Sequence, residues 1–436
     1  MKPSRYIYLV PFDFNHHVIF SGMTKGFLIV PNDKLDSYEA ILNAPDDYLD
    51  THTAVIRDFE GIGLVIDDSI DEHKLLRDAR NGYINQKEYK SIILPTFECN
   101  YNCWYCKQNH QPLKIDPEKI ALIVKHLKTY LIENKMESYV LAWFGGEPLT
   151  QPDIIESVSK EMYGFCMEHG IRFRGGITTN GALLSKEIIK KLSECHIDVF
   201  QITIDGNAEM HDKTKYDSIN PSAYRLLMEN LNNLMHYYPD ARLNLRFNYT
   251  PATIKDDAVV KDLCKAIPQK FRSRVNVDLQ KVWQVDEKTI DMENLKRIQK
   301  SFVDAGFSLN TESIFSFCYV EKKHYNAIYY TAEVEKCDQI DMKHLRGVID
   351  ETGHIRWREK PLFEDHDLLA DGCVCSDCVY FPICLNGCPS KRDSMIKENG
   401  EVTCIHNGDY SYLEHHIQDY CWRVIHNQAL KKQKTV

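Results

Sequence analysis

The sequence predicts an α/β protein centred on a partial (β/α)6 barrel, and two observations carry that expectation. Between about residues 89 and 310, short runs rich in β-branched and aromatic residues alternate six times with longer amphipathic stretches. Strand–helix repeats imply a parallel sheet with helices outside it, and six of them fall short of a closed eight-stranded barrel. Distinctive residues also stand at the ends of successive strands: Cys99 after the first, Gly145-Gly146-Glu147-Pro148 after the second, Asn180-Gly181 after the third and Asp205-Gly206 after the fourth. Parallel barrels place their chemistry at that end.

Residues 1–88 read as a separate small unit. Tyr6–Val10, Val18–Phe20, Phe27–Val30 and Ile62–Ile66 have the composition of short strands, and Asp33–Leu42 and Asp71–Ala79 read as helices. In the barrel segment, 89–310, the strands are expected at Ser91–Thr96, Tyr139–Phe144, Phe173–Thr179, Val199–Asp205, Leu243–Tyr249 and Val275–Trp283. Helical patterns are Pro117–Glu133, Ile154–His169, Lys186–Cys195, Ala223–His236 and Met292–Asp304. Residues 311–436 form a third segment, rich in cysteine and loops, with a helical tail at Tyr412–Ile425.

Composition narrows the function. A net charge of −10 over 436 residues argues against bulk attraction to nucleic acid or to an anionic membrane. No apolar run approaches the roughly 20 residues of a membrane-spanning helix, and the N-terminus lacks the pattern of a signal peptide. The fifteen cysteines are therefore expected in a reducing cytoplasm, where clustered thiols signal metal more often than disulfides.

The strongest motif is Cys99-x-x-x-Cys103-x-x-Cys106, with Tyr105 just before the last cysteine. Three thiolates on one loop can hold three irons of a [4Fe–4S] cube and leave the fourth open to a small molecule. Zinc is the alternative; it wants four ligands, and His110 is the nearest candidate for the fourth.

This triplet, its place after the first barrel strand and its aromatic Tyr105 resemble the signature of the radical S-adenosylmethionine (SAM) enzymes, whose fold is a partial TIM-like barrel. The resemblance implies that the open iron chelates SAM, whose reductive cleavage gives a 5′-deoxyadenosyl radical. Gly145, Gly146, Glu147 and Pro148 resemble the family's glycine–acid motif, which contacts the SAM amino group. Thr179 and Asn180 resemble its ribose-contacting strand end. Asp205-Gly206 with His211-Asp212 resembles a segment of the peptide-modifying branch that ends in arginine. Here the basic residue is Lys215, so a point charge would replace a bidentate fork at the SAM carboxylate. Asn248, on the fifth strand, is a candidate adenine contact.

A second resemblance lies at Cys375-x-x-Cys378, Cys384-x-x-x-Cys388 and Cys404, which look like the SPASM extension of radical SAM maturases. It implies one or two auxiliary [4Fe–4S] clusters. Carried over, Cys375, Cys378, Cys384 and Cys404 hold one of them, and Cys388 crosses to the other together with Cys337 and Cys318. The family pattern expects a further cysteine five residues after Gly353, where this chain has Arg358. That cluster would then keep an open iron or take Cys373 instead. A zinc ribbon of Cys375, Cys378, Cys384 and Cys388 is the plainer reading. Cys166, Cys195, Cys264 and Cys421 lie in helical patterns and read as small buried apolar residues.

The N-terminal unit resembles, in pattern and position, the winged-helix-like recognition element of enzymes that modify ribosomally synthesised peptides (RiPPs). There a leader peptide adds a strand to a sheet edge. Together these resemblances imply a radical SAM maturase that takes hydrogen from a precursor peptide to install a cross-link or other oxidative change, with flavodoxin or ferredoxin as electron donor. Asp205, Asp371 and Tyr380 are candidate catalytic residues by location. The alternatives are a sulfatase-type maturase that forms formylglycine, and a zinc-stabilised binding module without catalysis.

Overall fold

The computed structural model describes the chain apart from residues 109, 217–221, 313, 339–344, 360–366 and 434–436 and the side chains of 287 and 433. Its contacts fall into two compact units. One takes Met1–Gln86, Thr311–Lys323 and the cysteine-bearing segment through Gln428; the other takes Lys87–Asn310, the stretch that begins at His324, and the chain end from Ala429.

In the first unit, β1 (Lys2–Pro3) pairs with β5 (Val65–Ile66). Strands β2 (Ile7–Pro11), β3 (His16–Ser21) and β4 (Phe27–Pro31) form an antiparallel sheet in that order. Helices α1 (Leu35–Asn43), α2 (Thr53–Ile62) and α3 (Glu72–Ile84) accompany them. The expected strand Ile62–Ile66 shortens to Val65–Ile66. Ile56 and Phe59 instead form the buried stripe of a helix, which ends at Gly63 in the left-handed region (φ 74°), with Leu64 donating back to the Phe59 carbonyl.

The alternation of β3 gives the sheet two apolar faces. Ile19 and Val30 pack with Ile41, Leu42, Ile56 and Phe59 of α1 and α2. On the other face, Tyr8, Val10, Val18 and Phe20 share a core with Ile383, and with Leu413, Ile417 and Cys421 of the helix Ser411–Gln433. A chain of buried charges crosses the same unit. Glu321 accepts from Arg80 of α3 at 3.2 Å and from Arg392 at 2.7 Å, and Arg392 is only 1% exposed.

The second unit is one sheet of eleven strands. Six parallel strands match the six read from the sequence: β6 (Glu88–Leu94), β7 (Ser138–Trp143), β8 (Arg172–Thr179), β9 (Ile197–Ile204), β10 (Arg242–Tyr249) and β11 (Val275–Lys281). β12 (Ser308–Leu309) extends the parallel array beyond β11. β13 (Tyr325–Tyr329) extends it beyond β6, and β14 (Glu333–Glu335), β15 (Gly347–Ile349) and β16 (Ile355–Trp357) follow as an antiparallel edge. Among the described residues β12 and β16 do not pair, so the sheet is open.

The connections are α4 (Pro117–Glu133), α5 (Pro152–Glu168), α6 (Lys186–Glu194), α7 (Ala208–Thr214), α8 (Ala223–Tyr237), α9 (Ala258–Ala266) and α10 (Met292–Asp304). Asp116, Ser185, Asn207, Ser222 and Asp291 cap five of these helices through their side-chain oxygens, which fixes where each strand-end loop gives way to helix. One set of strand residues, such as Leu141, Ile202, Leu245 and Phe247, is fully buried. The alternate set on β9 and β10 is polar and half-buried: Gln201, Thr203, Asn244 and Arg246. The loops at the carboxyl ends of these strands carry the candidate site. Among the described residues no helix is long and apolar enough to cross a membrane.

Candidate functional site

Cys99, Cys103 and Cys106 lie on the loop after β6. An isolated bridge between Thr96 and Lys114 closes its base, and Ile115 donates to the Pro95 carbonyl. Two glycines of the neighbouring strand end set its pose. Gly146 donates to the Thr96 carbonyl and Glu147 to the Glu98 carbonyl. A Cβ at Gly145, whose φ is 126°, would lie 2.5 Å from the Thr96 oxygen, and one at Gly146 would lie 2.3 Å from that of Glu98. Only glycine lets the two backbones approach so closely.

Glu147 is fully buried and works as a staple. Its carboxylate accepts from the Thr179 hydroxyl (2.7 Å), the Asn180 N–H (2.8 Å) and the Leu149 N–H (3.0 Å), which joins the end of β7 to the end of β8. Burial pushes its carboxyl up to about 7, against the pull of those donors. Pro148 starts the short turn that follows. Asn180 donates to Asn100 at 2.8 Å and lies 4.0 Å from the Cys99 sulfur.

Tyr105, between Cys103 and Cys106, is tied down by a buried polar knot. Its hydroxyl donates to Asp205 at 2.7 Å and accepts from Asn248 at 3.1 Å. Lys215 donates to the other oxygen of Asp205 at 2.6 Å and reaches the Tyr105 hydroxyl at 3.3 Å. Burial would raise the Asp205 carboxyl, yet the Lys215 ammonium, with the Tyr105 hydrogen bond, holds it below the usual range; burial would lower Lys215, yet Asp205 holds it well above its ordinary value. His211 accepts from the Asp205 N–H at 3.2 Å, and burial beside Lys215 lowers it to about 3, so it is neutral. The sequence reading gives Lys215 to a ligand carboxylate; here its charge is already paired.

Burial pushes the Cys99 thiol up to about 12 and also raises Cys103, against which the Lys215 charge pulls. Cys106 is exposed, and His110 Nε2 lies 3.4 Å from its sulfur. Three thiols on one loop, with N–H groups of Tyr101 and Asn180 facing Cys99, suit a cube that spreads its thiolates over three irons. Among the described residues no three His, Cys, Asp or Glu side chains are drawn around a single ion.

The second field of cysteines lies in the other unit. Cys373, Cys378 and Cys384 lie close to Cys375, and Cys378 and Cys404 lie close to Cys384. Cys388 is exposed. Cys318 belongs to this unit, just before the turn Tyr319–Glu321, whereas Cys337 follows β14 in the unit of the sheet. Arg358, where a cysteine is expected, pairs with Glu333 at 2.9 Å. Of the candidate catalytic residues, Asp205 is spent in the buried knot, Asp371 is exposed, and Tyr380 stacks on Tyr410 at 4.1 Å. The polar strand face of Gln201, Thr203, Asn244 and Arg246 was not singled out from the sequence. Alternate polar residues in parallel strands are the signal, since a sheet covered on both faces would be apolar throughout.

Residues 93–263 match the family model of the radical SAM superfamily. The chain carries a radical SAM domain. Domains of this family bind a [4Fe–4S] cluster and SAM, and the triplet loop and its glycine–acid neighbour fall inside the match. The chain is 26% identical over 179 residues to the Fe-coproporphyrin III synthase of Methanosarcina barkeri, a match that covers 41% of each. It is also 26% identical over 201 residues to the radical SAM cyclopropyl synthase TigE of Paramaledivibacter caminithermalis, covering 41% of this chain and 42% of that one. The matches thus span less than half of these curated relatives. Among solved structures, anSMEcpe with bound AdoMet superposes with a TM-score of 0.56 at 16% identity, over 79% of this chain and 99% of that one, so the likeness of fold extends beyond the radical SAM domain.

Proposed function

We propose that this chain is a radical SAM maturase of a ribosomally synthesised peptide, which it alters by abstracting hydrogen and forming a cross-link or other oxidised product. The observation that carries this reading is the pairing of the triplet loop with a second group of sulfurs, Cys375, Cys378, Cys384 and Cys404, in a unit that also holds the β2-β3-β4 sheet. Cys99, Cys103 and Cys106 would hold the cluster, which when bound would supply an electron for reductive cleavage of SAM. The chain's own part is placement. Gly145 and Gly146 admit the loop, Glu147 joins two strand ends beside it, and the Tyr105–Asp205–Lys215–Asn248 knot fixes the residue between two cysteines. The C-terminal cysteines would hold one or two auxiliary clusters that exchange an electron with the substrate.

β2 and β4 each pair on one side only among the described residues, which leaves an edge for an extended leader peptide to join. A solved neighbour of similar fold is described with bound AdoMet and a peptide. Flavodoxin or ferredoxin would be the electron donor, and the cytoplasm the setting. A tetrapyrrole substrate is the second reading, favoured by the names of two relatives, the Fe-coproporphyrin III synthase and an AdoMet-dependent heme synthase.

The test is anaerobic reconstitution. About eight to twelve irons per chain, with sulfide, and 5′-deoxyadenosine formed from SAM under dithionite are expected. Cys99→Ala, Cys103→Ala and Cys106→Ala together should abolish the deoxyadenosine. A chain that holds zinc without sulfide would overturn the reading. Binding of a precursor leader peptide, against binding of a coproporphyrin, separates the two substrates.

A further inference from the structure

Asn386 and Tyr410 stand beside the four sulfurs assigned above to one auxiliary centre. The Asn386 side-chain amide donates to the Cys375 sulfur at 3.2 Å, and its backbone N–H faces Cys384. The Tyr410 hydroxyl faces Cys404 and Cys378. The backbone N–H groups of His406, Asn407 and Gly408 also face Cys404.

The chain commits conformational strain to this arrangement. Leu385, Asn386 and Gly387 are three successive residues in the left-handed region, at φ 52°, 50° and 61°, and Asn407 and Gly408 repeat the pattern at 49° and 87°. Non-glycine residues seldom adopt it, and runs of backbone N–H groups in such turns make anion-binding hollows. Asn386 is 2% exposed and leaves its side-chain oxygen without a partner while its amide faces sulfur. The Tyr410 ring is clamped by Tyr380 at 4.1 Å, which in turn stacks on Tyr8 of β2 at 5.3 Å.

We propose that Asn386 and Tyr410 are positioning residues of a metal–thiolate centre held by Cys375, Cys378, Cys384 and Cys404, and that their hydrogen bonds to its sulfurs raise its reduction potential. The physical reason is that N–H and O–H donors stabilise the more negative, reduced form and weaken the sulfur's donation to the metal. The inference rests on the reading that these cysteines hold an iron–sulfur cluster.

The experiment uses the full chain with Cys99, Cys103 and Cys106 changed to Ala, reconstituted anaerobically, so that the C-terminal centre alone reports. Iron and sulfide are counted and the midpoint potential is read by electron paramagnetic resonance during a redox titration. Tyr410→Phe and Asn386→Ala should each move the potential to a more negative value, and the double variant further than either. Asn386→Asp, nearly isosteric but without the donor, should move it beyond Asn386→Ala. Loss of iron from Tyr410→Phe leaves the Asn386 pair to decide. Unchanged potentials with iron and sulfide in place, or the reverse order of the two Asn386 variants, would overturn the proposal and leave the cluster reading standing. Absence of sulfide from the unsubstituted C-terminal centre would overturn both.

Discussion

At Cys99, Cys103 and Cys106 the sulfurs ride on a loop whose pose comes from a parallel sheet, whereas from Cys375 to Cys404 they sit among turns and two short helices with no strand between them. The first loop is held at its edges. Glycine backbones admit it, a buried carboxylate joins the strand ends beside it, and a paired lysine and aspartate grip Tyr105. Few groups touch its sulfurs directly. In the second region donors face the sulfurs themselves, and left-handed turns aim them. A regular sheet can position a loop through its register and leave one side open for a ligand. An irregular segment must build its geometry around the sulfurs.

That contrast can be broken or sharpened by substitution. Glu321→Gln should have the largest effect, because it leaves Arg80 and Arg392 buried beside a neutral partner. A loss of about 3–5 kcal/mol is expected, read by urea unfolding, with loss of iron from the C-terminal region first. Glu147 comes next. Its folded carboxyl titrates at about 7, above the ordinary range, so the folded state holds more protons than the unfolded one between about pH 4.5 and 7. Stability should fall as pH rises through that window, by about 3 kcal/mol at most, and Glu147→Gln should flatten the slope of unfolding free energy against pH in the cluster-free chain.

Gly146→Ala should cost about 2 kcal/mol, since its Cβ would press on the Phe97 and Glu98 carbonyls. Iron should be lost from the triplet and kept by the C-terminal cysteines; equal loss from both would erase the distinction. The smallest effect is expected at the rim, where Lys107 lies over the exposed Trp283 ring at 4.0 Å and Gln284 donates to the Tyr105 carbonyl. Trp283→Ala should change stability by only about 0.5 kcal/mol, yet hasten removal of triplet iron by a chelator.

Much of the sheet was legible. The six long parallel strands have dense β-branched and aromatic runs, and their ends carry turn signals that no helix would tolerate. Strands β13 to β16 were not legible, because three- to five-residue strands such as Glu333–Glu335 show too few alternations to register. The triplet and the glycine pair could be read because the chemistry is compressed into a few consecutive residues. Lys215 could be found by position, but its partner could not: Asp205 lies ten residues away, and only the fold brings its carboxylate to the ammonium. Tyr410 stayed hidden for the same reason, since nothing local marks a tyrosine whose hydroxyl faces the cysteines at 378 and 404. Periodicity told which faces of β2 and β3 are apolar, and was silent on which distant helix covers them.

That cover has a cost in time. Tyr8, Val10, Val18 and Phe20 find their partners at Ile383, Leu413, Ile417 and Cys421, at the far end of the chain. A ribosome adding about 5–20 residues per second needs roughly 20–80 s to cross that gap, so the first strands made are among the last to be sealed. Throughout that interval the nascent sheet carries an uncovered apolar face, and whatever shields it in the cell governs the yield of folded protein.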